Sequence, residues 1–126
     1  MEQKKFDLED RFVNYACSML DIVESLPNTL TGGYRAGQLV RSCNSPAFHY
    51  NDANRASSRT EFIQRLTDIL RELKECRTAL KIIRKKQLMK SMDKLDAIFD
   101  ETEALIAIIG KSVSTARKNK TKAATA

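Results

Sequence analysis

Glycine, proline and long apolar runs are scarce in this sequence, and each shortage excludes a class of protein. The 126 residues include four glycines and two prolines, too few for the many tight turns of a β-sandwich or barrel. They are also too few for collagen or for Pro- or Gly-rich disorder. No stretch approaches the roughly 18 uninterrupted apolar residues that span a bilayer. With 42% hydrophobic and 30% charged residues, the composition predicts one globular domain.

Paired cysteines and secretion signals are lacking as well. Cys17, Cys43 and Cys76 are an odd number of cysteines without a CxxC pair, which argues against a disulfide framework or a zinc site. The N-terminal segment MEQKKFDLED has no apolar run after its lysines, so no signal peptide is expected. Free cysteines in apolar surroundings are typical of a reducing compartment, and we therefore expect a cytoplasmic protein.

Histidine is nearly absent, which bears on catalysis. His49 is the only one, and no serine or cysteine stands near it in a nucleophile motif. Glu72 and Glu75 are spaced like carboxylate ligands, but di-iron bundles need Glu-x-x-His motifs. His49 is interpreted as a polar core or interface residue, with Asp52 on the same helix face as a candidate partner. The sequence predicts no enzyme, no metal and no cofactor.

Charge is abundant but unevenly placed along the chain. The net charge is +6, yet residues 7–24 hold five acidic side chains against one arginine. Two basic segments follow. Their cations are Arg77, Lys81, Arg84, Lys85, Lys86, Lys90 and Lys94 in the first and Arg117, Lys118, Lys120 and Lys122 in the second. Such segments attract phosphate backbones or acidic protein surfaces; a merely solvated surface is the alternative. Without interleaved aromatics, contact with nucleic acid would be to phosphates and largely sequence-blind.

Apolar residues recur at helical spacing in four segments. The first begins after the N-cap residue Asp7 and stops at Pro27. The second runs from Tyr34 to Asn54, with Thr31 as a candidate cap and a kink or break expected near Pro46. Two amphipathic helices therefore occupy the first half of the chain.

The second half predicts two further helices and a tail. Ser58 and Glu61 form a capping box at the start of a helix that reaches about Lys85. Ser91 caps a fourth helix that ends near Val113. The fold predicted is all-α, an up-down-up-down antiparallel four-helix bundle over residues 1–113, followed by a disordered basic tail over residues 114–126. Surplus isoleucines on the last two helices predict a second buried surface against other subunits.

A set of polar positions in the second and third helices matches a family pattern. They are Gln38, Arg41, Ser45, His49, Asp52, Arg55, Ser58, Glu61, Glu72 and Glu75. With them, the chain resembles the bacterial four-helix-bundle family of the intervening sequences in large-subunit ribosomal RNA genes. His49 stands where that family usually has Asn, and Asp52 where it usually has Glu.

The resemblance carries expectations about function. The family is similar in fold to the accessory variability proteins of diversity-generating retroelements, which form pentameric rings and bind a reverse transcriptase and nucleic acid. It implies a homo-oligomer, with a pentamer expected first and a dimer second, that binds RNA, DNA or a nucleic-acid enzyme through basic surface. It implies no catalytic residues. The alternative is a structural or scaffolding bundle that binds only protein partners.

Overall fold

The computed structural model describes the backbone of residues 7–125 and the side chains of residues 7–119. Over that part of the chain all of the regular secondary structure is helical, without a strand. The four helices are α1 (Leu8–Ser25), α2 (Leu30–Asn54), α3 (Arg59–Lys85) and α4 (Met92–Thr125). The predicted all-α four-helix fold is confirmed. No helix among these residues is both long enough and apolar enough to cross a membrane.

The helices run antiparallel to their neighbours in sequence. Arg77 pairs with Glu103 and Arg84 with Asp96, so residue numbers fall along α4 as they rise along α3. α1 packs on α2, α2 on α3, and α3 on α4, while α1 meets α4 along a shorter line. This is the up-down-up-down arrangement, in which each helix has one face in the core.

Helix starts are fixed by side-chain caps. The Asp7 carboxylate accepts from the Asp10 amide at 3.2 Å, and the Ser58 hydroxyl accepts from the Glu61 amide at 3.1 Å. Glu61 turns back to Ser57 rather than to the cap residue itself, and accepts from both its amide and its hydroxyl. Those two bonds hold the pKa of Glu61 below its ordinary value. The predicted starts of α1 and α3 are therefore confirmed.

The second helix starts earlier than the sequence predicted. Thr29, not Thr31, is the N-cap, and its hydroxyl accepts from the Gly32 amide at 3.1 Å. Gly32 is buried against the preceding loop, where a β-carbon would lie 2.1 Å from the Pro27 carbonyl oxygen. Only glycine fits at position 32, because a side chain would collide with the Pro27 carbonyl. The glycine needed for this contact suggested a turn from the sequence, although the backbone here is helical.

Pro46 does not break α2, which is continuous from Leu30 to Asn54. Polar side chains bond to backbone carbonyls one turn earlier around it: Asn44 donates to the Val40 carbonyl at 2.7 Å and Ser45 to the Arg41 carbonyl at 3.0 Å. Pro46 itself is buried. The break at this position is excluded, because α2 is continuous through Pro46 and is held by its packing against α1 and α3.

The core is built as the apolar periodicity predicted. Leu66, Leu73 and Leu80 of α3 are buried. The surplus isoleucines, however, do not form a second surface: Ile83, Ile98 and Ile109 are buried, and others pack against the same core. A helix that packs between two neighbouring helices can bury a wider apolar face within its own subunit. Among residues 7–119, the most exposed large apolar side chains lie on α2 instead.

The predicted disordered tail is corrected by the structure. α4 continues past Val113 through Thr125, and Ala116 is buried beside α3. A groove between the start of α3 and this extension is lined by residues of both helices, among them Phe62 and Ala116. Extending a formed helix costs less than nucleating one, and the segment is rich in the good helix formers Ala, Lys and Arg. The side chains of Lys120 and Lys122 lie outside the described part.

Candidate nucleic-acid interface and the motif face

The turn between α3 and α4 has a defined backbone geometry that presents its lysines. Gln87 has a left-handed backbone, with φ of 53°. Its amide donates to the Arg84 carbonyl at 3.1 Å, and the Leu88 amide donates to the Ile83 carbonyl at 3.0 Å. These two bonds close the helix as a Schellman motif. The side chain of Met89 is buried in the core and so fixes the α3–α4 turn to the bundle.

The seven cations of residues 77–94 divide into two groups. Arg77 donates to Glu103 at 2.9 Å, and Arg84 pairs with Asp96 while lying over the Phe99 ring. The other five are exposed, and no ion pair involves them within the described side chains. They are Lys81, Lys85, Lys86, Lys90 and Lys94, and we call them the basic end. The predicted basic segment thus presents five uncompensated lysines at one end of the bundle.

The second basic segment lies elsewhere. Arg117 and Lys118 are exposed on the extension of α4. At 1.5 Å per residue, Lys94 and Arg117 are separated along α4 by about 35 Å. The two basic segments that the sequence offers as candidate nucleic-acid contacts are therefore at opposite ends of the molecule, and a single short nucleic-acid contact cannot include both.

The family-pattern residues lie on α2 and α3. The Ser42 hydroxyl, beside them, donates to Glu75 at 3.3 Å. Gln38 accepts from Arg35 at 2.7 Å, and Ser45 is occupied with its own helix. His49 has a buried Nδ1 without a hydrogen-bond partner. These bonds are local or bridge α2 and α3, so this part of the pattern supports the packing of the two helices.

Glu72 lies on α3, close to Glu75 and to His49 of α2. Burial, and next the charge of Glu75, raise its pKa above the ordinary value, while Arg71, 3.6 Å away, opposes the shift. Charged positions of a family pattern without catalysis usually hold a helix junction, which predicts that Arg41, Asp52, Arg55 and Glu72 include an ion-paired set. The structure corrects this prediction: within the described side chains no ion pair joins any two of the four, and Arg41, Asp52 and Arg55 are exposed.

Sequence reasoning missed an exposed apolar line on α2. Leu30 is 92%, Tyr34 62% and Phe48 70% exposed. The Tyr34 ring lies under the Arg35 guanidinium, 4.6 Å from it. The signal was present as the seven-residue spacing of Tyr34, Arg41, Phe48 and Arg55, which places these residues on one side of a helix. The apolar spacing of α2 by itself predicts Tyr34 and Phe48 on the buried face, and the structure corrects this by leaving both exposed.

A polar layer crosses the core. Thr102 donates to the Ile98 carbonyl at 2.7 Å, so the Tyr15 hydroxyl is the donor in its 2.6 Å bond to Thr102. Burial raises the pKa of Tyr15 strongly, raises that of Cys43 to about 11, and, with Cys43 nearby, raises that of Cys76 to about 12.

The layer does not have the chemistry of an active site. A thiol with a raised pKa stays protonated near neutral pH and is a poor nucleophile. Among the described residues, no three histidine, cysteine, aspartate or glutamate side chains are grouped to hold a metal ion. The layer's evident role is to satisfy buried polar groups.

Comparison with known proteins reveals a similarity in fold. No protein-family model matches the sequence, and no curated protein matches it significantly. Among solved structures, it is similar to a protein with unknown function from the S23 ribosomal protein family of Bacteroides thetaiotaomicron. The two share 19% sequence identity with a TM-score of 0.77, over 85% of this chain and 98% of the other. At that identity the similarity establishes a common helical fold.

Proposed function

We propose that this protein is a non-enzymatic, ring-forming interaction protein that binds nucleic acid, or a nucleic-acid enzyme such as a reverse transcriptase, through the basic end. The observation that carries the proposal is the state of its five lysines. They are exposed and uncompensated, whereas the neighbouring arginines are neutralised by acids of α4. Solubility alone would not require that the lysines cluster without acidic partners while the neighbouring arginines are paired.

The chemistry of the basic end suits phosphate. Lysine ammonium groups are compact point charges that contact phosphates without reading bases. The nearby Phe99 ring is covered by Arg84, so it offers no open face for a base to stack on. The mode of binding proposed is therefore electrostatic, strongly salt-dependent and nearly independent of sequence.

Assembly would strengthen such weak contacts. In a ring each subunit contributes its own basic end, and linked contacts raise the overall affinity without any new interaction. The resemblance to the ribosomal intervening-sequence family, and through it to the retroelement accessory proteins, supports a pentamer first and a dimer second. It also supports a bacterial, cytoplasmic setting.

Salt dependence of binding tests this function directly. Fluorescence anisotropy with a labelled DNA duplex should show log affinity falling with log salt by about 0.9 for each phosphate contact. The variant K85Q/K86Q/K90Q should weaken binding and reduce that slope by about 2–3. The matched control K74Q/K111Q neutralises exposed lysines elsewhere and should change neither. An unchanged slope in the triple variant would remove the basic end from the proposal.

The scaffolding alternative has one observation in its favour. Leu30, Tyr34 and Phe48 expose apolar surface, which is typical of protein–protein contact. If the intact assembly bound neither DNA nor RNA at low salt, the protein-only function would replace the one proposed.

A further inference from the structure

Four side chains form a line on the outer side of α2, which we call the α2 stripe: Tyr34, Arg41, Phe48 and Arg55. They follow one another at intervals of seven residues, so each lies about 10.5 Å from the next along the helix. Arg41, Phe48 and Arg55 are exposed. The stripe therefore presents an apolar centre at Phe48 with a cation on each side.

A line of the opposite charge runs along the outer side of α1. This α1 stripe consists of Asp10, Cys17 and Glu24, again at intervals of seven residues, and all three are exposed. Val13, one turn from Cys17, is 45% exposed and widens the uncharged centre. Where the α2 stripe has cation, aromatic ring, cation, the α1 stripe has anion, thiol, anion at the same spacing.

We infer that the α2 stripe of one copy packs antiparallel on the α1 stripe of a second copy of this chain. In that register Phe48 covers Cys17, Arg41 lies opposite Glu24, and Arg55 lies opposite Asp10. The occupant is specified by the matched spacing and the complementary charge. The inference rests on the assembly in the proposed function and identifies the surfaces that make it.

The two stripes belong to different helices, so the contact is head-to-tail and each copy has both surfaces. Such contacts close a ring only if the operation relating neighbours is close to a pure rotation. The Phe12 and Tyr50 rings are 5.6 Å apart, which places Phe48 near the height of residue 14. That is within about one helical turn of Cys17. Closure into a ring therefore requires that a tilt of neighbouring copies remove this offset of about one helical turn.

This register leaves the basic end unused. Arg41 and Arg55 supply the positive charge that α1 meets, rather than the lysines of residues 77–94. The family-pattern charges Arg41 and Arg55, which have no ionic partner within the described side chains of their own subunit, each gain one in this contact.

Cysteine crosslinking tests the contact in the full-length chain. Cys43 and Cys76 are buried, so F48C adds a second exposed thiol to Cys17. A short bismaleimide should convert F48C into a ladder of covalent multimers that ends at the number of subunits in the ring. T78C, at an exposed position of α3, is the matched control and should give no ladder.

The possible outcomes separate this contact from other assemblies. F48C/C17S should lose the ladder; if it still forms covalent dimers, two α2 stripes face each other and the inference is overturned. An F48C protein that keeps its assembled mass but does not crosslink also overturns it, and leaves the proposed ring standing. A monomeric wild-type protein would instead refute the assembly part of the proposed function.

Charge exchange is the second test and does not depend on Phe48. R41E and E24R should each lower the affinity between subunits by about tenfold or more, because each places like charges opposite one another. The double variant R41E/E24R should recover most of that loss. If the double variant were no better than the single ones, Arg41 and Glu24 would not face each other.

Discussion

The buried hydroxyl of Tyr15 depends on Thr102, because Thr102 gives its own proton to the Ile98 carbonyl and accepts the one from Tyr15. T102V should therefore lower the free energy of unfolding by about 1–3 kcal/mol, the cost of leaving a buried donor unsatisfied. Y15F/T102V should recover part of the loss, since both polar groups are then removed. Urea unfolding of the four proteins of this cycle measures the coupling. Additive losses would mean that the bond contributes nothing.

The buried thiols predict how stability responds to alkali. The pKa of Cys43 is raised to about 11 and that of Cys76 to about 12 from an ordinary 9.0, chiefly by burial. Above pH 9 the unfolded chain loses these protons while the folded chain keeps them, so stability falls as pH rises. The slope approaches about 1.4 kcal/mol per pH unit for each thiol between pH 9 and 11. Denaturant melts across this range should show a shallower slope for C76A than for the wild-type protein, and an unchanged slope would contradict this prediction.

At the scale of the element, the first turns of α2 contain two glycines with opposite roles. A β-carbon on Gly32 would meet the Pro27 carbonyl oxygen, whereas one on Gly33 would meet nothing within 4 Å. G32A should therefore destabilise the protein by about 1–3 kcal/mol. G33A should stabilise it by about 0.5–1 kcal/mol, because alanine loses less backbone entropy in a helix. Thermal melts of G32A and G33A measure the two effects, and each variant is the control for the other. Equal effects would show that the loop does not press on Gly32.

Helix starts and faces could be read from the sequence because they depend on neighbours within one turn. Asp7 and Ser58 cap their helices as predicted, and Leu73 is buried as its spacing requires. The early start of α2 was not readable, since it depends on packing against Pro27. The helical course of α4 beyond Val113 was missed for a related reason: α3 lies alongside it and covers Ala116.

At the scale of the whole molecule, the candidate site was only partly predictable. The cations of residues 77–94 are visible in the sequence, but which of them are neutralised depends on acids that α4 brings alongside, Glu103 and Asp96. The α2 stripe required knowing which side of α2 faces the core. Its charged residues were recognised through the family pattern, while the exposure of Phe48 became evident only from the packed bundle.

The central claim is that this chain functions as a ring of identical subunits, and its mass in solution tests that claim most directly. Multi-angle light scattering at moderate salt should give a single species at an integer multiple of 14.3 kDa, with five the multiple expected. A species of 14.3 kDa at every protein concentration would contradict the account.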